Sequence, residues 1–142
     1  MARREHLASA ALAALAGLHL LWATGSPWPL PDRAAFADAV MGHDALPSPA
    51  ACVRVAAALA TGSAFVAGRP RSACRAQRAG AVGVVSALLV RGVLGIAGRT
   101  DLVSPGSSSP RFRALDRKLY SPLCLTIAAL AAPAARPAHR CD

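Results

Sequence analysis

One hundred and forty-two residues leave room for one domain, 1–142, and 54% of them are apolar, above the roughly 45–50% of an ordinary soluble domain. The net charge of +9 would suit a nucleic-acid binder, but the bases gather in the connections between apolar runs. Anionic lipid headgroups account for them there, and no DNA or RNA partner is implied.

Four runs approach or reach the length that crosses a bilayer: His6–Gly25, Ala50–Gly68, Ala79–Gly98 and Leu119–Ala135. A helix rising about 1.5 Å per residue needs about 20 residues to span about 30 Å of hydrocarbon. Ala, Leu and Val dominate, and mean hydropathy is +0.39. Alanine is nearly neutral for insertion, yet the pattern favours lipid over a soluble all-α bundle. The expected fold is all-α, a four-transmembrane-helix bundle with a short interfacial helix in the first loop.

The first run carries His19 and closes on Trp22. Arg3 and Arg4 before it resemble the start of a signal peptide, but the apolar stretch is longer than a signal core, so an uncleaved helix is expected. Alternating prolines at 27, 29 and 31 then forbid regular helix. Trp22 and Trp28 suit an interface. Asp32 can cap a short helix running to about Met41 and stopped by Gly42, with Phe36 and Val40 as its apolar stripe.

The second run holds Thr61-Gly62-Ser63-Ala64, small residues that let a neighbouring helix approach. An Arg-rich loop, 69–78, follows. The third run offers Gly80, Gly83, Gly92, Gly95 and Gly98. These small faces make a homo-oligomer plausible without establishing one. The connection 99–110 is rich in Ser, Pro and Gly and reads as a loose turn segment. Ser109-Pro110 is a helix start, Phe112, Leu115 and Leu119 should share a face, and Ser121-Pro122 should kink or restart that helix.

Sidedness follows from charge. Arg3, Arg4, Arg69, Arg71, Arg75, Arg78, Arg136 and Arg140 share one side with Glu5 and Asp142. The other side has Arg33, Arg54, Arg99, Arg111, Arg113, Arg117 and Lys118 with Asp32, Asp38, Asp44, Asp101 and Asp116. The more basic side is expected to be cytoplasmic, with both termini inside. Cys74 and Cys141 then face the cytosol. Cys52 and Cys124 lie near the outer end, as small buried hydrophobes or, less simply, as a disulfide.

Arg91 is the residue that demands an account. A mid-helix arginine costs roughly 2.5–3.5 kcal/mol on the insertion scale, and the Val, Leu and Ile of its run return roughly 3–5 kcal/mol. It either faces a partner or wet cavity, or snorkels about 10 Å to the headgroups. Asp116 is the preferred ion-pair partner, with Tyr120, four residues on, and His19 supplying hydrogen bonds. Such a cluster could bind a headgroup, relay protons, or hold the helices in register. Arg54 should snorkel outward. His6, His43 and His139 fall outside the bilayer. No nucleophile–base pair, phosphate-cradling loop, metal spacing or cofactor motif is present.

Leu18-His19-x-x-Trp22-Ala23-x-Gly25 with Trp28-Pro29, then Arg91-Gly92-x-x-Gly95, then Phe112-x-x-Leu115-Asp116-x-x-x-Tyr120-Ser121-Pro122-Leu123-Cys124-Leu125 occur in order. Together they resemble the domain-of-unknown-function 3995 family, small bacterial membrane proteins with four predicted helices, over about residues 6–132. The resemblance implies no activity. It marks His19, Trp22, Arg91, Asp116, Tyr120 and Cys124 as motif positions. The expected location is a bacterial inner membrane. The expected role is non-enzymatic: an outer-leaflet polar cluster (His19, Trp22, Arg91, Asp116, Tyr120) binding a lipid headgroup, a small molecule or a partner helix. The alternative is a membrane enzyme or proton-linked carrier using His19 and Asp116.

Overall fold

The structure, a computed structural model, describes residues 2–68, 74–102 and 104–136. Arg69, Arg71, Arg140, Cys141 and Asp142, which enter the sidedness argument, and His139, expected outside the bilayer, lie outside the described residues. The elements are α1 (Ala2–Ala23), α2 (Arg33–Phe36) continued by a π-helical turn (Ala37–Met41), α3 (Pro49–Val66) and α4 (Cys74–Ile96). A 3₁₀ turn (Thr100–Leu102) follows, then α5 (Pro110–Leu115), a second π-helical turn (Asp116–Tyr120), α6 (Ser121–Ala131) and a closing 3₁₀ turn (Ala132–Ala135). No strand occurs among the described residues.

The local chemistry explains most of these boundaries. The Asp32 side chain accepts from Ala35 N at 2.8 Å and starts α2, and Gly42, at φ +74°, ends the turn that follows. The Ser48 hydroxyl accepts from Ala51 N ahead of Pro49, and the Ser109 hydroxyl accepts from Phe112 N ahead of Pro110. In both cases a cap precedes a proline whose missing N–H is no loss in the first turn.

Four helical stretches are long and apolar enough to cross a membrane: Arg3–Ala23, Pro49–Val66, Arg75–Ile96 and Pro110–Ala135. They form one bundle, α1 against α3, α4 against α6, and the two pairs joined through α1–α6 and α3–α4. Ala8, Leu12, Val66, Ile127 and Ala131 make the buried centre, with Leu15, Leu59, Val84 and Leu88 packed around it. Small residues set the spacing. Gly62 receives Val84, and a Cβ on Gly80 would overlap the Phe65 ring. Ser9 and Ser63 join α1 to α3, each hydroxyl reaching the other at 2.9 Å and the Ser63 hydroxyl donating to Ser9 O at 2.9 Å.

The outside of this bundle is apolar. Only 17% to 28% of each spanning window is buried inside the protein. Leu20, Val53, Leu89, Val90, Val93 and Ile96 all stand exposed. So many large apolar side chains facing outward suit lipid as their surroundings rather than water. The chain is a multi-pass helical membrane protein by length, composition and surface.

Three expectations need correction. Arg75 and Arg78, expected in the Arg-rich loop 69–78, stand in the first turns of α4. Leu119 does not join Phe112 and Leu115 on one face: Phe112 is buried and Leu119 exposed, because the π turn between them adds a residue and rotates the helix. The Ser/Pro/Gly connection is not loose either. Ser108 N and Ser109 N both donate to Gly42 O at 3.0 Å, and the Ser107 hydroxyl donates to Met41 O at 2.6 Å. Ser109 also bonds Asp38, and Arg111 pairs with Asp38 at 3.8 Å. The two connections at this end therefore make a single cap, with Phe36, Ala37, Ala39 and Phe112 buried beneath it.

Candidate functional site

Arg91 and Asp116 meet. Arg91 Nη2 donates to Asp116 Oδ1 at 2.7 Å, and Asp116 is 1% exposed. The carboxylate takes two further donors from the same chain. Ser121 Oγ donates to Oδ1 at 3.1 Å, and Thr100 Oγ1 donates to Oδ2. The pair thus ties α4, the 3₁₀ turn and the α5–α6 junction together. A buried charge is tolerated when it is paired and its remaining lone pairs are filled, and both oxygens here are engaged.

The π turn makes this set. In ordinary α-helix, residue 120 would lie over residue 116. Here Ser121 N donates to Asp116 O, an i to i+5 bond, so Ser121 falls under the carboxylate and Tyr120 is turned aside. Pro122 supplies a reason for the wide turn: it has no N–H to offer the carbonyl four residues back, and its ring would press on that group.

Tyr120 is consequently not part of the cluster. Its hydroxyl donates to Ala39 O at 2.9 Å, fastening the cap to the bundle, and its ring lies 6.2 Å from Phe112. His19 does not reach the pair either. Its Nδ1 bonds Leu15 O at 2.8 Å within α1, and its ring lies 4.8 Å from Trp22. Trp22 donates from Nε1 to Trp28 O at 2.8 Å and meets Phe36 edge-on at 5.0 Å. The five residues singled out by sequence therefore divide into an ion pair, Arg91–Asp116, a ring pair, His19–Trp22, which Phe36 extends into an aromatic column, and a tether, Tyr120.

Thr100, Ser121 and Gly95 complete the pair and were not singled out for it. Ser121 stood inside the last motif, and Gly95 follows Arg91 by one helical turn. Thr100 had no sequence signal. A Cβ on Gly95 would collide with Ser121 Oγ and stand 2.8 Å from both Arg91 Nη1 and Asp116 Oδ2. Leu125 fills the space over Gly92 in the same way. Arg91 Nη1 is buried without a hydrogen-bond partner, while the side chain as a whole is 29% exposed. Arg54 is exposed, as a snorkelling side chain would be. Cys52 and Cys124 are free thiols, so the disulfide alternative is not formed.

Comparison with known proteins identifies the chain by family alone. No curated protein matches it, and no solved structure matches it. One family model does, covering residues 12–131, and that stretch contains every residue of the pair, the column and the tether. The chain belongs to that family, described as Protein of unknown function (DUF3995).

Proposed function

We propose that this protein is a non-enzymatic multi-pass protein of a bacterial inner membrane, with both termini cytoplasmic. The cap then lies at the outer surface. In this reading the Arg91–Asp116–Thr100–Ser121 cluster is a latch in the outer half of the membrane. It holds the cap in one arrangement for binding at the membrane surface, to a lipid headgroup, a small molecule or a partner helix.

The observation that carries the reading is the occupancy of Asp116. Both carboxylate oxygens already accept from the chain's own donors, three bonds in all, which supports a structural role for Asp116. An enzyme or proton-linked carrier built on His19 and Asp116 has less support, because the two side chains engage separate partners.

Thermal unfolding in detergent tests the latch. Removing one member of a buried pair strands the other and costs about 3–5 kcal/mol. Asp116→Asn and Arg91→Ala should each lower the melting temperature sharply, and the double variant should be no worse than the poorer single one. Unchanged melting in both single variants would refute a latch.

A further inference from the structure

At the cap end the first connection borders a half-open pocket of about 280 Å³, between the last turn of α1 and the entry to α3. Trp22 and Phe36 are part of its lining, and Leu46 and Pro47 extend the apolar surface. This wall is built before any ligand arrives. Trp22 is held by Trp28 O, Phe36 is 3% exposed, and their rings already touch edge-on.

The polar side of the pocket is cationic. Arg33 lines it, and its guanidinium lies against Gly25, where a Cβ would stand 3.2 Å from Nη2. Gly25, at φ +85°, both makes the turn and leaves that space. Arg33 forms no ion pair among the described residues, whose three pairs belong to Arg91, Arg99 and Arg111. The neighbouring Asp32 turns its Oδ1 to Ala35 N instead. Ser26 lines the pocket too. Its oxygen accepts from Trp28 N at 3.3 Å, which leaves the hydroxyl proton to donate. No carboxylate lines the pocket among the described residues.

A guanidinium and a hydroxyl beside an aromatic wall suit an anionic oxygen group joined to something apolar. The position selects a lipid as its source. The pocket sits where the apolar windows Arg3–Ala23 and Pro49–Val66 end, the level at which phosphates lie. Trp28 and Leu46, 61% and 43% exposed, stand on the same connection and would rest in the interface. The volume, just below the roughly 300–1,000 Å³ of sites for drug-sized ligands, is room for a phosphodiester and the carbons beside it.

We propose that this pocket holds the headgroup of an anionic phospholipid, with its phosphodiester on Arg33 and Ser26 and the glycerol-ester start of its acyl chains against Trp22 and Phe36. The proposal rests on the reading of the cap as a membrane-surface binding element and names its ligand.

Trp22, in the pocket lining, and Trp28, on the same connection, are the only tryptophans in the chain, so tryptophan fluorescence excited apart from tyrosine reports on this connection alone. The full chain is reconstituted in phosphatidylcholine vesicles doped with brominated phosphatidylglycerol or, separately, brominated phosphatidylcholine. At low mole fraction the anionic lipid should quench about fivefold more efficiently, the factor expected from one basic residue meeting anionic lipid. Arg33→Ala should reduce that ratio to about one, Arg33→Lys should keep part of it, and Arg113→Ala should keep it whole, all with an unchanged emission maximum.

Equal quenching by the two lipids, or a preference that survives Arg33→Ala, overturns the site. Relief of quenching by millimolar glycerol 1-phosphate would make it a site for soluble phosphate esters and overturn the lipid assignment. Absence of quenching by either lipid would overturn the membrane placement of the cap as well, which distinguishes the two failures.

Discussion

At Gly95 the lack of a side chain is what lets three polar groups converge. Ser121 Oγ occupies the place a Cβ would take, and Arg91 Nη1 and Asp116 Oδ2 close in at 2.8 Å from that point. Gly95→Ala should therefore destabilise by about 1–3 kcal/mol, the usual cost of forcing extra volume into a filled site. Gly83, on the same helix, has nothing within 4 Å of its added Cβ. Gly83→Ala should be neutral or stabilising by up to about 1 kcal/mol through helix propensity. Thermal melting of the two variants side by side checks the contrast, and equal effects would contradict it. The pair itself was readable in advance, because an arginine in an apolar run needs an acid or an exit. Its other partners were not. Thr100 reaches Asp116 only through the path of a connecting turn, and no local pattern marks that.

At the scale of elements, what the chain's local chemistry dictates was readable and what packing dictates was not. Asp32, Gly42 and Ser109-Pro110 start and stop helices through bonds to residues within a turn, so their reading survives intact. The π turn at Asp116–Tyr120 is different. It trades α-helical spacing for i+5 spacing, and four-residue reasoning then places Tyr120 where Ser121 is found. The serines of the third connection looked loose because their acceptors, Met41 O and Gly42 O, lie more than sixty residues earlier in the chain. Gly42 is the hinge-pin of this cap. An alanine there must adopt φ +74° and stand 2.9 Å from the Phe112 ring and 3.0 Å from Ser107 Cα. Gly42→Ala should open the cap, seen as protease cleavage within 24–48 at concentrations that leave the native chain whole. Unaltered resistance would mean that the cap does not depend on this contact.

For the whole molecule, lipid replaces water as the solvent of the bundle. The exposed Leu, Val and Ile of α1, α3 and α4 then cost nothing, and the partly exposed Arg91 needs the Asp116 pairing instead. The proposed sidedness rests separately on the charge of the connections. A C-terminal fluorescent protein that folds only in the cytoplasm should glow, and a C-terminal alkaline phosphatase should stay inactive. The reverse pattern would invert the proposed orientation and put the cap inside. The most direct measurement is alkaline carbonate extraction of membranes from cells expressing the full chain, followed by detergent. The protein should remain entirely in the carbonate-washed membrane pellet and leave it only with detergent. Release by carbonate alone, as a compact chain dispersed in buffer, would contradict a bundle built to live in hydrocarbon.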